Sequence, residues 1–453
     1  MSELAPISDL SLRRGDPADL VLRRARVLDP AAGIDASHDV VVREGRVAEL
    51  AAPGEAAEPD GAEVVDAERH DVYPAFFDPH VHLRTPGQEH KEDIETGSRA
   101  AAAGGFCAIL AMANTDPPVD TAADVRALRE QAEHEASVGV GFLACVTRGM
   151  RGEVLTDMAE LRDAGAAGFS DDGLPIASAR MLRKALQYQR LAGLPIALHE
   201  EDPDLSGDGV MHEGAVSAAL GLAGIPAVSE SATIARDTAL AGEEDARIHV
   251  QHLSCRASVE AIALAKEAGV RVTAEVTPHH LTLTDEAVRS LDASRYKMNP
   301  PLRTEDDRQA LIDGFRSGLI DCIGTDHAPH APEEKEVPFE QAAMGVIGLE
   351  TAFAILNTEL VLPGVLDLAI VIDRLTAGAE PFGFERPSLA PGSEANLVLV
   401  DRDAEWEAAA EGWESRSENS SFHGHTLRGR VLMTLAAGGV AYRQRSFAMG
   451  VAS

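Results

Sequence analysis

Short apolar runs that end in polar residues recur along the middle of the chain, and helix-like segments separate most of them. Between residues 72 and 330 there are eight such runs: VYPAFFDPHVHLR, FCAILAMANT, VGVGFLACVT, AAGFSDDG, PIALHEE, RIHVQHLS, VRVTAEVTPHHL and LIDCIGTDHAPH. Eight strand–helix units in one chain predict a (β/α)8 TIM barrel, here over residues 73–387. An open, doubly wound sheet is the alternative, but it does not normally contain eight such units.

The pattern is different on both sides of this region. From residue 18 to 72, apolar and polar residues alternate, with turns at Gly33, Gly45 and Gly61, and this predicts short antiparallel strands. Alternation returns over residues 388–453, in EANLVLVDRD and TLRGRVLMTLAAGGVAYR. We expect the two segments to form one small β-sandwich-like domain. Residues 1–17 are predicted to be a polar lead-in, and the acidic stretch from Trp406 to Ser421 a loop.

Composition and charge restrict the kinds of partner. The 453 residues are 45% hydrophobic, which is enough for a large core. The 74 acidic residues outnumber the 40 basic ones and give a formal charge of −34, which argues against nucleic-acid or anionic-membrane binding through charge. The four cysteines form no C-x-x-C pair, and no signal peptide or membrane-spanning run is visible. We therefore expect a cytoplasmic protein.

The first apolar run ends in two histidines with one residue between them. On a strand, side chains alternate between the two faces, so His80 and His82 point the same way and could bind one divalent ion. An isolated H-x-H is a weak signal, because two histidines often lie near a strand end by chance. The other strand ends must therefore supply further ligands.

Several of the other runs also end in residues that bind metals. In a barrel of this kind the chemistry lies at the carboxyl ends of the strands, where these side chains would meet. The polar strand ends include His80, His82, Arg84, Asn114, Thr115, Asp171, Asp172, His199, His252, Asp326, His327 and His330. This number of imidazole and carboxylate ligands suggests two zinc ions, with one as the alternative and with manganese or cobalt as other metals. Such a centre can add water to an amide-like bond, and Asp326 is the best candidate for moving the proton.

Alternation along the strand does not resolve every choice. In FSDDG the adjacent aspartates face opposite ways, so periodicity does not tell whether Asp171 or Asp172 is the ligand. In IHVQHLS only one histidine is expected to point inward; we choose His252 and interpret His249 as packing or solvent-facing.

The ordered motifs resemble the amidohydrolase superfamily, and within it the class I (bacterial-type) dihydroorotases. The similarity covers nearly the whole chain and rests on DPHVHLRTPGQEHKEDIETG, MANTDPPVDT, FSDDG, HEGAVSAALGLAGIPAVSES, VTAEVTPHHL, YKMNPPLR, GTDHAPH and GVIGLETA. The resemblance implies reversible, metal-dependent closure of N-carbamoyl-L-aspartate to (S)-dihydroorotate and water, the third step of de novo pyrimidine synthesis. It also implies metal ligands at His80, His82, Asp172, His199, His252 and Asp326, with Asp326 as general acid and base. Substrate contacts are implied at Arg84, Asn114, Asn299, His330, Met344 and Gly345.

Two other functions stay open at this point. Hydantoinases and allantoinases of the superfamily bridge their metals with a carbamylated lysine, and Asp172 at that position favours a dihydroorotase. Some dihydroorotase-like chains have lost their ligands and only scaffold an aspartate transcarbamoylase, whereas this chain keeps all six. The resemblance implies a homodimer, or a complex with the transcarbamoylase. Residues 331–345 are expected to act as a lid, although Ala343-Met344 replaces the Pro-Phe of many relatives. His279 and His280 are expected to be structural or to support the ligands.

Overall fold

The computed structural model describes residues 4–6, 9–57 and 61–448, so the outer ends of the predicted lead-in and of the C-terminal segment lie outside the described residues. Five strands precede the barrel, and their buried residues are mostly valine, leucine and alanine. The strands are β1 (Leu20–Asp29), β2 (Ile34–Arg43), β3 (Arg46–Ala51), β4 (Glu63–Asp66) and β5 (Asp71–Pro74).

The next ten strands belong to the barrel and its loops. They are β6 (Phe76–Val81), β7 (Phe106–Ala111), β8 (Gly139–Ala144), β9 (Gly168–Phe169), β10 (Ile196–Leu198), β11 (Met211–His212), β12 (Gly224–Ile225), β13 (Arg247–Val250), β14 (Arg271–Val276) and β15 (Cys322–Ile323). Strands β11 and β12 form a separate pair in the loop after β10. The other eight lie in one parallel sheet in chain order.

The parallel sheet closes on itself. Val81 pairs with His327 in parallel orientation, and the backbone nitrogen of His82 donates to the carbonyl oxygen of His327 at 2.8 Å. This joins the end of β6 to the segment after β15. Because an open sheet leaves its two edge strands unpaired, the closure confirms the predicted barrel over the doubly wound alternative.

Several barrel helices, among them α1, α2, α4 and α10, begin at side-chain caps and bury one stripe of residues. Asp93 accepts from the backbone nitrogen of Thr96 at 2.8 Å at the start of the first long helix. The helices are α1 (Ile94–Ala103), α2 (Ala122–Glu135), α3 (Met158–Asp163), α4 (Ala179–Ala192), α5 (Pro203–Ser206), α6 (Ala215–Leu220), α7 (Val228–Glu243), α8 (Arg256–Glu267), α9 (Pro278–Thr282), α10 (Glu305–Ser317), α11 (Pro332–Lys335), α12 (Ala352–Leu356), α13 (Leu368–Thr376) and α14 (Arg445–Ala448). On α4, Leu182, Ala185, Leu186 and Gln189 are buried, which is the spacing of one helix face.

The two ends of the chain meet in a second sheet. Its C-terminal strands are β16 (Leu397–Glu407), β17 (Thr426–Ala436) and β18 (Gly439–Arg443). The strand order is β18-β17-β16-β5-β1-β2-β3, with β4 alongside β1, so β5 and β16 join the two halves of the chain. This confirms the predicted additional β domain. Strand β5 crosses the predicted boundary at residue 72 and leads directly into β6, which attaches the small sheet to the first barrel strand.

The N-terminal lead-in and the acidic stretch from Trp406 to Ser421 each differ in one detail from the prediction. Ser11 pairs with Val140 on β8, and Leu10 is buried in the barrel core, so the described part of the lead-in packs on the barrel. Trp406 still belongs to β16, and the irregular connection to β17 begins after Glu407. Among the described residues, no helix combines the length and apolar character needed to cross a membrane.

Candidate metal centre

Six buried side chains converge at the carboxyl ends of the barrel strands. They come from β6 and from the residues just after β6, β9, β10, β13 and β15. Each is at most 7% exposed, and the six are His80, His82, Asp172, His199, His252 and Asp326. Parallel strands present their carboxyl ends at the same edge of a barrel, which explains why residues distant in sequence meet here.

The carboxylate of Asp172 lies between four imidazoles. Its Oδ1 atom is 3.6 Å from Nε2 of His80, 3.8 Å from Nδ1 of His199 and 3.7 Å from Nε2 of His252. Its Oδ2 atom is 3.5 Å from Nε2 of His82. Burial by itself would raise the pKa of Asp172, but the surrounding imidazoles lower it well below its ordinary value. The carboxylate therefore links the two pairs of histidines.

Asp326 flanks the first histidine pair on another side. Its Oδ1 atom is 3.0 Å from Nε2 of His82 and 3.5 Å from Nε2 of His80. Burial favours the neutral acid, yet His80, His82 and His252 keep the pKa of Asp326 well below its usual range. The side chain is thus an ionised carboxylate beside the histidine pair.

These residues fit a divalent metal. Two groups, His80–Asp172–His252 and His80–His82–Asp326, each bring three ligand atoms within 4.8 Å of one another. The Oδ1 atom of Asp172 is buried and has no hydrogen-bond partner among the described residues, which is costly for a carboxylate unless a cation approaches it. Imidazole nitrogens with carboxylate oxygens are a donor set that suits zinc.

Three of the four histidines are oriented by an acceptor on the ring nitrogen that points away from the cluster. Nδ1 of His80 is 2.6 Å from Oε1 of Glu275, and Nε2 of His199 is 3.1 Å from Oε2 of Glu201. Nδ1 of His82 is 2.8 Å from Oδ1 of Asn114. Each contact leaves the other nitrogen of the ring facing the carboxylates, as metal-ligating histidines require.

Sequence reasoning missed Glu275 and Glu201. A glutamate inside the otherwise apolar end of β14 is unusual, and Glu275 is completely buried there, so this was a usable signal. Glu201 directly follows the HE pair that contains His199, but nothing in the sequence shows that it turns back toward the ring.

Of the two interpretations of His249, packing and solvent-facing, the solvent-facing one is wrong, and β13 directs more than one polar side chain inward. His249 is 1% exposed, and its Nε2 atom lies 3.0 Å from Oε2 of Glu275 inside the barrel. Gln251 also points inward, with Nε2 3.2 Å from Nδ1 of His80. His252 joins the cluster because the strand has ended at Val250 and its own φ is +32°, which breaks the alternation.

The aspartate pair divides into two roles. Asp172 lies in the cluster, whereas Asp171 accepts from the backbone nitrogens of Val146 and Thr147 at 2.8 and 3.1 Å and contacts the Thr147 hydroxyl. Asp171 therefore fixes the loop after β8. His327, which follows the eighth barrel strand β15, also points away from the cluster. Its Nδ1 accepts from the backbone of Gly348 at 3.2 Å, and its Nε2 lies 3.3 Å from Glu92.

The residues predicted to contact substrate fall into two groups. Asn114 and Asn299 lie against the histidine cluster, with Nδ2 of Asn299 2.6 Å from Oε2 of Glu201. The others belong to the segment after β15 or lie against it, and we call residues 328–347 of that segment the wall. Nε of Arg84, which follows β6, donates to the carbonyl of Pro329 at 3.1 Å, and Nε2 of His330 donates to that of Met344 at 2.8 Å. Burial lowers the pKa of His330 to about 4, which keeps the ring neutral.

The last predicted contact residue in the wall, Gly345, has a backbone that only glycine adopts easily. Its φ is +133°, and a Cβ atom would lie 2.7 Å from Cβ of Ala328. Any side chain here would push the wall away from the strand end, so the glycine allows the close approach.

The two adjacent histidines of α9 are buried beside the site. His280 is bonded on both ring nitrogens, 2.8 Å from Oγ1 of Thr277 and 3.0 Å from the carbonyl of Pro300. Nε2 of His279 has no hydrogen-bond partner among the described residues. Burial lowers the pKa of His279 to about 4. Neither residue belongs to the two ligand groups above.

Comparison with known proteins identifies relatives over nearly the full chain. A family model described as dihydro-orotase-like matches residues 71–258. The dihydroorotase of Geobacter sp. strain M21 is 44% identical over 426 residues, which is 94% of this chain and 99% of the relative. The dihydroorotase of Anaeromyxobacter dehalogenans strain 2CP-C is 44% identical over 94% of this chain and 98% of its own length.

Solved structures of hydantoinases share the fold at lower identity. The L-hydantoinase (dihydropyrimidinase) of Arthrobacter aurescens has a TM-score of 0.81 at 27% identity and covers 93% of this chain and 96% of its own. The dihydropyrimidinase of Brevibacillus agri NCHU1002 has a TM-score of 0.81 at 25% identity, over 94% and 95% of the two chains. Since the dihydroorotases match far more closely in sequence over almost all of both chains, this chain belongs to the dihydroorotase family of the amidohydrolase superfamily.

Proposed function

We propose that the chain is a class I (bacterial-type) dihydroorotase, which closes N-carbamoyl-L-aspartate to (S)-dihydroorotate and water in pyrimidine synthesis. In the opposite direction, ring opening, the same enzyme hydrolyses the cyclic amide bond of dihydroorotate. The observation that carries the proposal is Asp172, whose carboxylate lies 3.5–3.8 Å from four imidazoles. The resemblance implies a carbamylated lysine at this position in hydantoinases. The 44% identity to dihydroorotases supports the same substrate.

The metal would be held by the six buried residues of the cluster. His80, His82 and Asp326 form one ligand group, and Asp172 connects it to His199 and His252. We propose zinc, with two ions per subunit and one as the alternative. A divalent metal bound there supplies a Lewis acid that polarises a carbonyl oxygen and makes water more acidic.

Asp326 is the proposed proton carrier. In ring opening, water adds to the ring carbonyl carbon, the C–N bond breaks and the leaving nitrogen gains one proton. Asp326 accepts the proton that the water loses and delivers it to that nitrogen, and ring closure uses the same transfers in reverse. An ionised carboxylate 3.0 Å from Nε2 of His82 has the charge and the position to accept that proton.

Arg84 is the proposed partner of the substrate carboxylate. Its Nε donates to Pro329, and its terminal nitrogens have no hydrogen-bond partner among the described residues. A guanidinium fork binds a carboxylate with two parallel hydrogen bonds. In a chain with a formal charge of −34, such a local positive group is needed to hold an anion. Asn114, Asn299, His330, Met344 and Gly345 would complete the pocket.

A hydantoinase-like activity is the second candidate, because the solved structures with TM-scores of 0.81 include hydantoinases. The neutral rings of such substrates need no arginine, and the resemblance implies a lysine in their enzymes where this chain has Asp172. From the resemblance we also propose a cytoplasmic location and a homodimer. A complex with aspartate transcarbamoylase, which this barrel would scaffold, is the alternative assembly.

One assay separates these functions. Purified protein with zinc is mixed with L-dihydroorotate, and loss of ultraviolet absorbance is followed with and without a chelator. We expect turnover that the chelator stops and added zinc restores. Hydantoin and allantoin are assayed separately as alternative substrates. Turnover of either ring with none of dihydroorotate would overturn the proposal, and inactivity on all three would favour a scaffold.

A further inference from the structure

Part of the connection between β16 and β17 lies against the segments that follow β6 and β15. We call residues 414–419 the strap. The backbone nitrogens of Glu414 and Ser415 donate to Glu350 at 3.1 Å, and the backbone nitrogen of Arg416 donates to Glu92 at 3.1 Å. Glu92 is completely buried. A segment of the small β domain is therefore fastened to the barrel by two carboxylates.

The strap ends at Asn419, whose side chain bonds three backbone groups of the predicted substrate wall. Oδ1 accepts from the backbone nitrogen of His330 at 3.1 Å, and Nδ2 donates to the carbonyls of Ala328 at 3.0 Å and Gly345 at 3.2 Å. The backbone carbonyl of Asn419 also accepts from Ile347 at 3.3 Å. Both hydrogens and the oxygen of the carboxamide are used, so the fit is specific to asparagine.

A cavity borders this wall at His330, whereas Val346 packs against Met298 and Leu302. A cavity of about 490 Å³ is lined by residues 332 and 335–338 and by Asn419, Ser420 and His423. Polar contacts also hold the wall, beginning with the backbone hydrogen bond from Ala328 to the carbonyl of Val346 at 2.8 Å. Besides Asn419, Nζ of Lys335 donates to the carbonyls of Ala343 at 2.9 Å and Gly345 at 3.0 Å. The carbonyl of Gly345 thus accepts from both side chains.

We propose that Asn419 is a positioning residue for substrate binding, through which the small β domain completes the pocket of the barrel. Its carboxamide bonds the backbones of both His330 and Gly345, and so adds to the backbone hydrogen bond between Ala328 and Val346 in holding together the two segments that carry the proposed substrate contacts. The part of this inference that concerns substrate rests on the proposed dihydroorotase function, whereas the part that concerns the wall does not.

The test uses Asn419→Ala and Asn419→Asp in the full-length, zinc-loaded protein. The aspartate keeps the shape but presents oxygens to two carbonyls. For both variants we expect KM for dihydroorotate to rise about five- to tenfold, with a smaller change in kcat. A rise of this size corresponds to the loss of roughly one buried hydrogen bond in substrate binding. The control is Ser417→Ala, which removes another buried strap contact, from Oγ to the carbonyl of Lys91 at 2.7 Å.

A second readout does not depend on activity. Hydrogen exchange should become faster at the amides of residues 328–347 in the Asn419 variants and stay unchanged there in Ser417→Ala, while zinc content remains that of the wild type. Unchanged KM together with unchanged exchange would overturn the inference, as would equal effects in the control. If wild-type protein does not act on dihydroorotate, the proposed function fails and exchange still decides whether Asn419 holds the wall.

Discussion

Nδ1 of His80 on β6 lies 2.6 Å from Oε1 of Glu275 on β14, across the interior of the barrel. The same carboxylate is 3.0 Å from Nε2 of His249 and accepts from the backbone nitrogen of His252 at 3.2 Å. One buried glutamate thus fixes the orientation of one proposed ligand and the backbone of another. Such partners set the tautomer of a metal-bound histidine.

Glu275→Gln should weaken zinc binding without unfolding the barrel. The amide keeps the volume but loses the charge and one acceptor, so we expect zinc affinity to fall about 10–100-fold. Competition with a chelating dye measures this directly. Glu267→Gln, an exposed change on α8, is the control. Wild-type zinc affinity in Glu275→Gln would show that the contact does not orient His80 for the metal.

Asp326→Ala should abolish turnover in both directions while the fold persists. Because ring opening and closure pass through the same proton transfers, loss of the carrier slows both by about 10²–10⁴-fold or more. Initial rates with dihydroorotate and with N-carbamoyl-L-aspartate give the two effects. Zinc content, measured in parallel, distinguishes a lost ligand from a lost proton carrier. Asp313→Asn on the surface of α10 is the control, and near-normal turnover in Asp326→Ala would refute the assignment.

Arg84→Met should raise KM for dihydroorotate much more than it lowers kcat. Hydrogen bonds to a charged group contribute about 1.5–3 kcal/mol, so we expect an increase of roughly 10–100-fold. Arg84→Lys should recover only part of the loss, because an ammonium cannot form the bidentate fork. Arg148→Met, on an exposed turn after β8, serves as the control. Equal KM values for wild type and Arg84→Met would place the carboxylate elsewhere.

Glu350 should make stability depend on pH. Burial raises the pKa of Glu350 from 4.5 to about 7, so between these values the folded chain binds more protons than the unfolded chain. The contribution of Glu350 is therefore complete below pH 4.5 and is lost as pH rises through 7. We compare the free energy of unfolding of wild type with that of Glu350→Gln. Allowing for the partial exposure of Glu350, we expect the wild-type value minus the variant value to fall by about 1–2 kcal/mol from pH 4.5 to 8.

Denaturant unfolding at a series of pH values measures that difference, and Glu267→Gln again controls for loss of an exposed carboxylate. A difference that stays constant, or grows with pH, would contradict the proposed shift. The result also bears on the strap, because Glu350 accepts from two of its backbone nitrogens.

Much of the site was predictable because strand ends are visible in sequence. An apolar run that stops at a histidine or aspartate predicts that this side chain lies at the end of a strand, and eight such runs predict a closed barrel. That reasoning assembled His80, His82, His199, His252 and Asp326 without knowledge of any contact. It failed in allowing only one inward histidine on β13, because alternation ends with the strand at Val250 and the backbone at His252 has φ +32°.

The sequence by itself determined the strand–helix rhythm, the residues available at each strand end and the family. Only the tertiary structure decided how these residues pair. Glu275 meets His80 across 195 positions of chain, and Asn419 meets His330 across 89. Local propensity and periodicity describe neighbours within a few residues, whereas such contacts depend on barrel closure and on the path of the strap. This is why the candidate ligands could be predicted, while the pairing of Glu275 with His80, the turn of Glu201 toward His199 and the contact of Asn419 with the wall could not.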